Sequence, residues 1–164
     1  MSSRILAEEP SSNSSHDLEH QETLPQKVNV TERQLEALYT LGFELYNTDN
    51  FEKAADLFRL LCIYEPQRTR NWIALGGANQ NIKDYNAAIA AFLIASLQEP
   101  LSPEPRLYAA HSFIDIMNLP AALDSAQKAL QLCENREDKK EVESRALSLL
   151  QALESYLSNN QVLK

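Results

Sequence analysis

From residue 31 onward, apolar side chains recur in steps of three and four, in short blocks separated by polar or turn-forming residues. This is the period of helices that each bury one face. Thr31 and Gln34 fit a capping box ahead of the apolar pattern that starts at Leu35. Asn50, Asp84 and Asn118 each precede a further apolar block, where a short polar side chain can accept an orphan amide hydrogen bond. Pro66 and Pro100 close blocks, and Ser102 with Pro103 suits the start of another. A last helix is expected over about 137–158, with Val142, Ala146, Leu149, Leu150, Leu153 and Leu157 on one stripe. Glu143, Ser148, Gln151 and Glu154 lie opposite.

The blocks repeat with a period of 34 residues. Leu41-Gly42 returns as Leu75-Gly76 and, weakly, as Ala109-Ala110. Phe51 returns as Tyr85 and Leu119, Ala54 as Ala88 and Ala122, and Phe58 as Phe92 and Ala126. Trp72 opens the second unit where Leu38 opens the first. This period and pattern are those of the tetratricopeptide repeat. The fold expected is all-α: three helix-turn-helix pairs over about 35–68, 69–102 and 103–136, in a right-handed superhelical array with a C-terminal capping helix. The repeat domain then spans 31–158, and residues 159–164 form a flexible end. Residues 1–30 are set apart: six of the first fifteen are serine, Pro10 and Pro25 interrupt them, and little apolar surface is present. Disorder is expected there, with a short helix around 17–24 as its one ordered element.

Gly42 and Gly76 fall inside helices, where glycine costs about 1 kcal/mol relative to alanine. Close approach of the paired helix offsets that cost. Ala54, Ala88 and Ala122 supply small surfaces opposite, and Leu41, Phe58, Leu75 and Phe92 fill the space around them. Within each first helix, the positions facing the concave side recur at spacings of four and three. They are Tyr39, Phe43 and Tyr46, then Ile73, Gly77 and Gln80, then Leu107, His111 and Ile114. Because Leu38, Leu41 and Leu45 already provide a packing face, the three aromatics of the first helix are left for a groove, or for packing on the N-terminal segment or a neighbouring helix. Gly77 leaves room between the ridges for an entering chain.

A net charge of −8 is the wrong sign for a phosphate-binding surface, so nucleic acid is not an expected partner. Three glycines are too few for a phosphate-cradling loop enzyme. His16 and His20 are spaced like helical metal ligands but lack further ligands nearby, so no metal or cofactor is expected. His111, Ser112 and Ser125 have no catalytic context, and no enzyme activity is expected. Cys62 and Cys133 sit among apolar residues and read as buried, reduced thiols. No signal-peptide core or membrane-length apolar run is seen, so the Asn13 and Asn29 glycosylation patterns read as chance. The concave positions carry no lysine or arginine to clamp a ligand carboxylate.

The run from Leu35 to Ala55 (LEALYTLGFELYNTDNFEKAA), continued by Leu57 to Tyr64, resembles the class II chaperones of bacterial type III secretion systems. The resemblance extends through Arg70 to Gly77 and Pro105 to Ala110. It implies a cytoplasmic bacterial protein that binds an extended segment of hydrophobic translocator proteins in its concave groove. Such binding would keep them soluble and unassociated before export, with no membrane insertion by the chaperone itself. It places Tyr64 and Phe92 in the groove beside Tyr39, Phe43 and Tyr46. A homodimer is a further implied partner, although the family's N-terminal dimerisation helix is matched here by serine-rich sequence. The alternative reading is a structural scaffold or adaptor subunit of a multiprotein assembly.

Overall fold

The computed structural model describes residues 30–161. Residues 1–29 of the expected N-terminal segment, with the short helix at 17–24, His16 and His20, and the last three residues of the 159–164 end lie outside the described residues. Every regular element described is helical: α1 Glu32–Asn47, α2 Phe51–Tyr64, α3 Thr69–Asn81, α4 Tyr85–Gln98, α5 Glu104–Asp115, α6 Leu119–Gln131 and α7 Lys140–Gln161. A single 3₁₀ turn, Glu137–Lys139, leads into α7. Each helix packs on its neighbours in sequence, and α1 with α3, and α5 with α7, also meet side by side. This is the arrangement of stacked tetratricopeptide pairs closed by a terminal helix.

Local chemistry explains where the helices start and stop. Thr31 and Gln34 form both halves of a capping box on α1. Asp84 and Asn118 accept from the backbone of Ala87 and Ala121, at 3.1 and 3.3 Å. Asn50 does not cap α2; its amide instead donates to the Thr48 carbonyl and hydroxyl. Ser102 is not the cap of α5 either. Pro103 holds that position, and the Ser102 hydroxyl donates to Glu104 Oε2 at 2.6 Å. The turns inside the three pairs share a device that composition gives no hint of. Asp49, Lys83 and Met117, again 34 residues apart, sit in the left-handed region with φ of 60°, 64° and 59°. Each precedes the N-cap position of its second helix, and none is glycine.

The in-helix glycines have a more specific cause than a general close approach. A Cβ on Gly42 would lie 2.8 Å from Phe58 Cε1, and one on Gly76 would lie 2.6 Å from Phe92 Cδ1. In the first two pairs the ring from the second helix therefore rests on the glycine of the first. In the third pair the two positions are Ala110 and Ala126, both fully buried, and Leu150 of α7 joins their cluster. The ring's volume is thus supplied there by two methyl groups and a leucine from the next helix.

Leu41 departs from its expected role as filler. It is 45% exposed, whereas its repeat equivalents Leu75 and Ala109 are buried. The physical reason is position in the stack. Ala109 packs on Ala88 and Phe92 of the preceding pair's second helix, and α3, which carries Leu75, packs on α2 in the same way, whereas among the described residues α1 has no pair before it.

Candidate functional site

The first helices α1, α3 and α5 share one face of the stack, and an apolar depression of about 300 Å³ opens on it. Phe43 and Tyr46 of α1 form one wall; Ile73, Ala74, Gly77 and Gln80 of α3 lie along its length; Tyr108 of α5 closes the other side. The floor is made by Phe58 and Phe92, the two rings seated on the glycines. Gly77 is different from Gly76 beside it. A Cβ there would meet the Tyr46 side chain, nearest at Oη, 3.6 Å away, an ordinary contact. Gly77 thus keeps the depression open, while Gly76 makes room for the floor.

The walls are held by polar contacts at their rims. Tyr46 Oη accepts from Asn81 Nδ2 at 2.9 Å, and its ring meets Phe51 edge-on at 5.2 Å. Gln80 Nε2 donates to Ser112 Oγ at 2.8 Å, which fixes α3 against α5. Phe43 stacks on Tyr46 with ring centroids 6.5 Å apart, yet half of Phe43 remains exposed. At the N-terminal ends of α1 and α3, Arg70 forms an ion pair with Glu36 and lies 4.3 Å over the Tyr39 ring. Its hydrogen bond holds the Glu36 carboxyl below the usual carboxylate range.

Six of the expected groove residues come together here: Phe43, Tyr46, Ile73, Gly77, Gln80 and Phe92. The others are placed elsewhere. Tyr39 packs its ring 5.7 Å from Phe58 beneath Arg70 and does not line the depression. Tyr64 ends α2, exposed, and does not line it either. Leu107 is fully buried among Ala129, Cys133, Val142 and Ala146, because the α6–α7 end of the stack covers it. His111 and Ile114 line a second apolar depression, between α5 and α7.

Three lining residues were not anticipated. Phe58 is the repeat equivalent of Phe92, so the 34-residue period already pointed to it. Ala74 and Tyr108 also share one repeat position, and the inner face reaches Tyr108 where α7 has claimed Leu107. The chemistry of this face is apolar contact with a few fixed amides. His111 is kept below its ordinary pKa mainly by burial and then by Arg145, against an opposing pull from Asp115 four residues on. Among the described residues no three metal-ligating side chains cluster, and no helix is long and apolar enough to cross a membrane.

Helix pairs of this period, stacked so that their first helices share an aromatic-floored depression, give the chain the fold of a tetratricopeptide array closed by a terminal helix. The tetratricopeptide repeat model itself matches residues 35–67. Along most of its length the chain is similar to the low calcium response locus protein H of Yersinia pestis, 25% identical over 131 residues that cover 80% of this chain and 78% of that one. Among solved structures it is similar to the type III secretion translocator chaperone SycD of Yersinia enterocolitica. That chaperone is 26% identical with a TM-score of 0.74, covering 79% of this chain and 89% of that one. SycD in complex with a peptide of the translocator YopD gives 26% identity and a TM-score of 0.73, covering 79% and 98%. The resemblance to translocator chaperones of type III secretion systems therefore runs through the stacked pairs and is not confined to the first repeat.

Proposed function

We propose that this chain is a cytoplasmic type III secretion chaperone that holds an extended segment of a hydrophobic translocator in the α1–α3–α5 depression and keeps that protein soluble before export. The observation that carries the reading is an apolar depression the fold does not fill, with half-exposed Phe43 on its wall and Gly77 keeping it open. The similarity to SycD, which has been solved with a translocator peptide, supports the choice of ligand. An extended chain suits the site, since alternate apolar side chains can drop into pockets on a rigid helical wall. Gln80, whose Nε2 is committed to Ser112, and Asn81, whose Nδ2 is committed to Tyr46 and Gly77, hold that wall in place. The action is binding; no group on this face is asked to move a proton or attack a bond.

Co-expression with the hydrophobic translocators of the same secretion system, followed by pull-down and by partition of the translocator between soluble and pelleted fractions, tests the reading. The wild-type chain should hold a translocator in the soluble fraction. Phe43→Ala should weaken capture by about 1–3 kcal/mol, the range of an aromatic anchor, and shift stability by no more than about 0.5 kcal/mol. Capture that survives both Phe43→Ala and a filled depression in Gly77→Trp would remove this face from the account. A chain that remained with a secretion assembly and left its translocators in the pellet would instead be a scaffold subunit.

A further inference from the structure

Only Leu35 and Gly42 of the sixteen residues of α1 are buried, although this helix carries the Phe43–Tyr46 wall of the depression. A helix with so little buried surface belongs to the part of a fold that opens most readily. Polar contacts tie it to α3 along its length. Arg70 donates from Nη1 and Nη2 to the two carboxylate oxygens of Glu36, from Nη1 at 3.2 Å. Arg68, just before α3, donates from Nη2 to Glu32 Oε1 at 2.7 Å, and at the far end Asn81 Nδ2 donates to Tyr46 Oη at 2.9 Å. Glu36, Arg70 and Glu104 hold the same repeat position, 34 residues apart. Glu104 pairs with Lys139 instead, and among the described residues no ion pair spans α3 and α5. The Glu36–Arg70 contact is therefore placed at the wall helix and is not repeated at the next junction.

The same arginine reaches the floor. Its guanidinium carbon lies 4.3 Å from the centroid of the Tyr39 ring, that ring lies 5.7 Å from Phe58, and Phe58 floors the depression. Arg70 thus bears on both wall and floor without lining the depression itself. We infer that Glu36, Arg70 and Tyr39 form a clasp that holds α1 closed on the bound segment, and that opening of this clasp is the step by which the segment leaves. The inference rests on the groove reading above and adds the release step to it. Arg70 acts through Glu36 and Tyr39, so it is a positioning residue. A segment held between the α1 wall and α3 makes its full contacts only in the closed state. Weakening the clasp lowers affinity by the closed fraction lost, but it speeds release by the clasp's whole contribution. For an exposed two-point ion pair with its guanidinium over a ring, that contribution is a factor of about five to ten.

The full chain is labelled with fluorescein at its N-terminal amine and co-purified with a hydrophobic translocator of the same secretion system. Mixing with an excess of unlabelled wild-type chain then lets the fall in polarisation report release. Glu36→Gln and Arg70→Gln should each release the translocator about five- to tenfold faster than wild type. Together they should be no faster than either alone, since both remove one interaction. Glu36→Arg combined with Arg70→Glu should restore most of the wild-type rate. Glu36→Cys combined with Arg70→Cys should release quickly as free thiols. Joined by a bis-maleimide after capture, that variant should release more slowly than wild type, with the native Cys62 and Cys133 buried away from the reagent. Hydrogen exchange of the Gln variants should quicken in α1 and stay unchanged in α4. A cross-linked chain that releases as fast as wild type, Gln variants that release at the wild-type rate, or protection lost equally from α4 would overturn the clasp. If Phe43→Ala still weakens capture in any of those cases, the groove reading stands without it. If Phe43→Ala and Gly77→Trp also leave capture unchanged, the groove reading fails and the clasp fails with it.

Discussion

Adjacent glycines in α3 should respond in opposite directions to the same substitution. Replacing glycine by alanine inside a helix gains about 1 kcal/mol through backbone entropy alone. At Gly77 nothing opposes that gain, because the new methyl meets the Tyr46 ring and hydroxyl at 3.6 Å or more, ordinary contact distances. Gly77→Ala should therefore stabilise the protein by about 0.5–1 kcal/mol. At Gly76 the methyl would fall 2.6 Å from Phe92 Cδ1, and Phe92 is buried to 1% exposure. The ring must tilt or the two helices must part, and overpacking of this kind costs about 1–3 kcal/mol. After the helix gain is subtracted, Gly76→Ala should lose about 1 kcal/mol, leaving the two variants about 2 kcal/mol apart. Gly42→Ala should fall between them, since its methyl meets Phe58 less closely, at 2.8 Å. At about 4 °C per kcal/mol for a domain of this size, thermal midpoints should separate Gly76→Ala from Gly77→Ala by about 8 °C. Thermal and urea unfolding followed by circular dichroism at the helical band give both numbers. Equal midpoints for the two variants, or a lower one for Gly77→Ala, would refute the assignment of Gly76 to the ring seat and Gly77 to the open face.

Three further outcomes are expected. Glu104 and Lys139 join the start of α5 to the turn before α7 at 2.5 Å, with both side chains mostly buried. Burial works to raise the Glu104 pKa, but hydrogen bonds from Lys139 and Ser102 outweigh it and leave the carboxyl below its ordinary value. A depressed folded pKa contributes stability above the unfolded value of about 4.3, and that contribution is lost as pH falls through the lower folded value. Glu104→Gln should lower stability at pH 7 and flatten its acid dependence below about pH 4.3, measured as urea midpoints across pH. The Cys62 thiol is pushed up to about 12 by burial, so iodoacetamide at pH 8 should label it only in denaturant, as mass spectrometry would record. Lys83→Gly should raise stability by about 0.5 kcal/mol, because a non-glycine residue at φ 64° is strained by about 1–2 kcal/mol and glycine returns part of that as unfolded-state entropy.

The repeat architecture was legible because its signature residues do physical work that composition cannot hide. A 34-residue period that places glycine, alanine and a ring at fixed offsets leaves few alternatives, and the helix pairs follow it. The inner face was legible where that period held. Phe43, Tyr46, Ile73, Gly77 and Gln80 are brought together as their spacing implied. Reading failed where a residue's surroundings depend on its place in the stack. Leu107 occupies the same repeat position as Tyr39 and Ile73, but the terminal helix region buries it and turns Tyr108 toward the depression. Leu41 has the residue type of a core position, but among the described residues no preceding pair covers it. Tyr39 lies on the expected helical face, yet Arg70 and Phe58 take up its ring. Periodicity reports local phase, and these three cases turn on what lies alongside. The left-handed turn residues escaped notice for a different reason. Aspartate, lysine and methionine share no chemistry that marks them for such a backbone.

Phe58 and Phe92 belong at once to the interior of the helix pairs and to the floor of the depression. Diversification of such proteins is therefore constrained unevenly. A change of floor residue alters ligand fit only by disturbing the seat on Gly42 or Gly76, so it must survive a folding test before it can be selected for a new client. Positions 43, 77 and 108 carry no such double duty on a glycine seat. Descendants adapting to different export cargo should accumulate their differences along the rim and keep the two rings and their glycines as linked pairs.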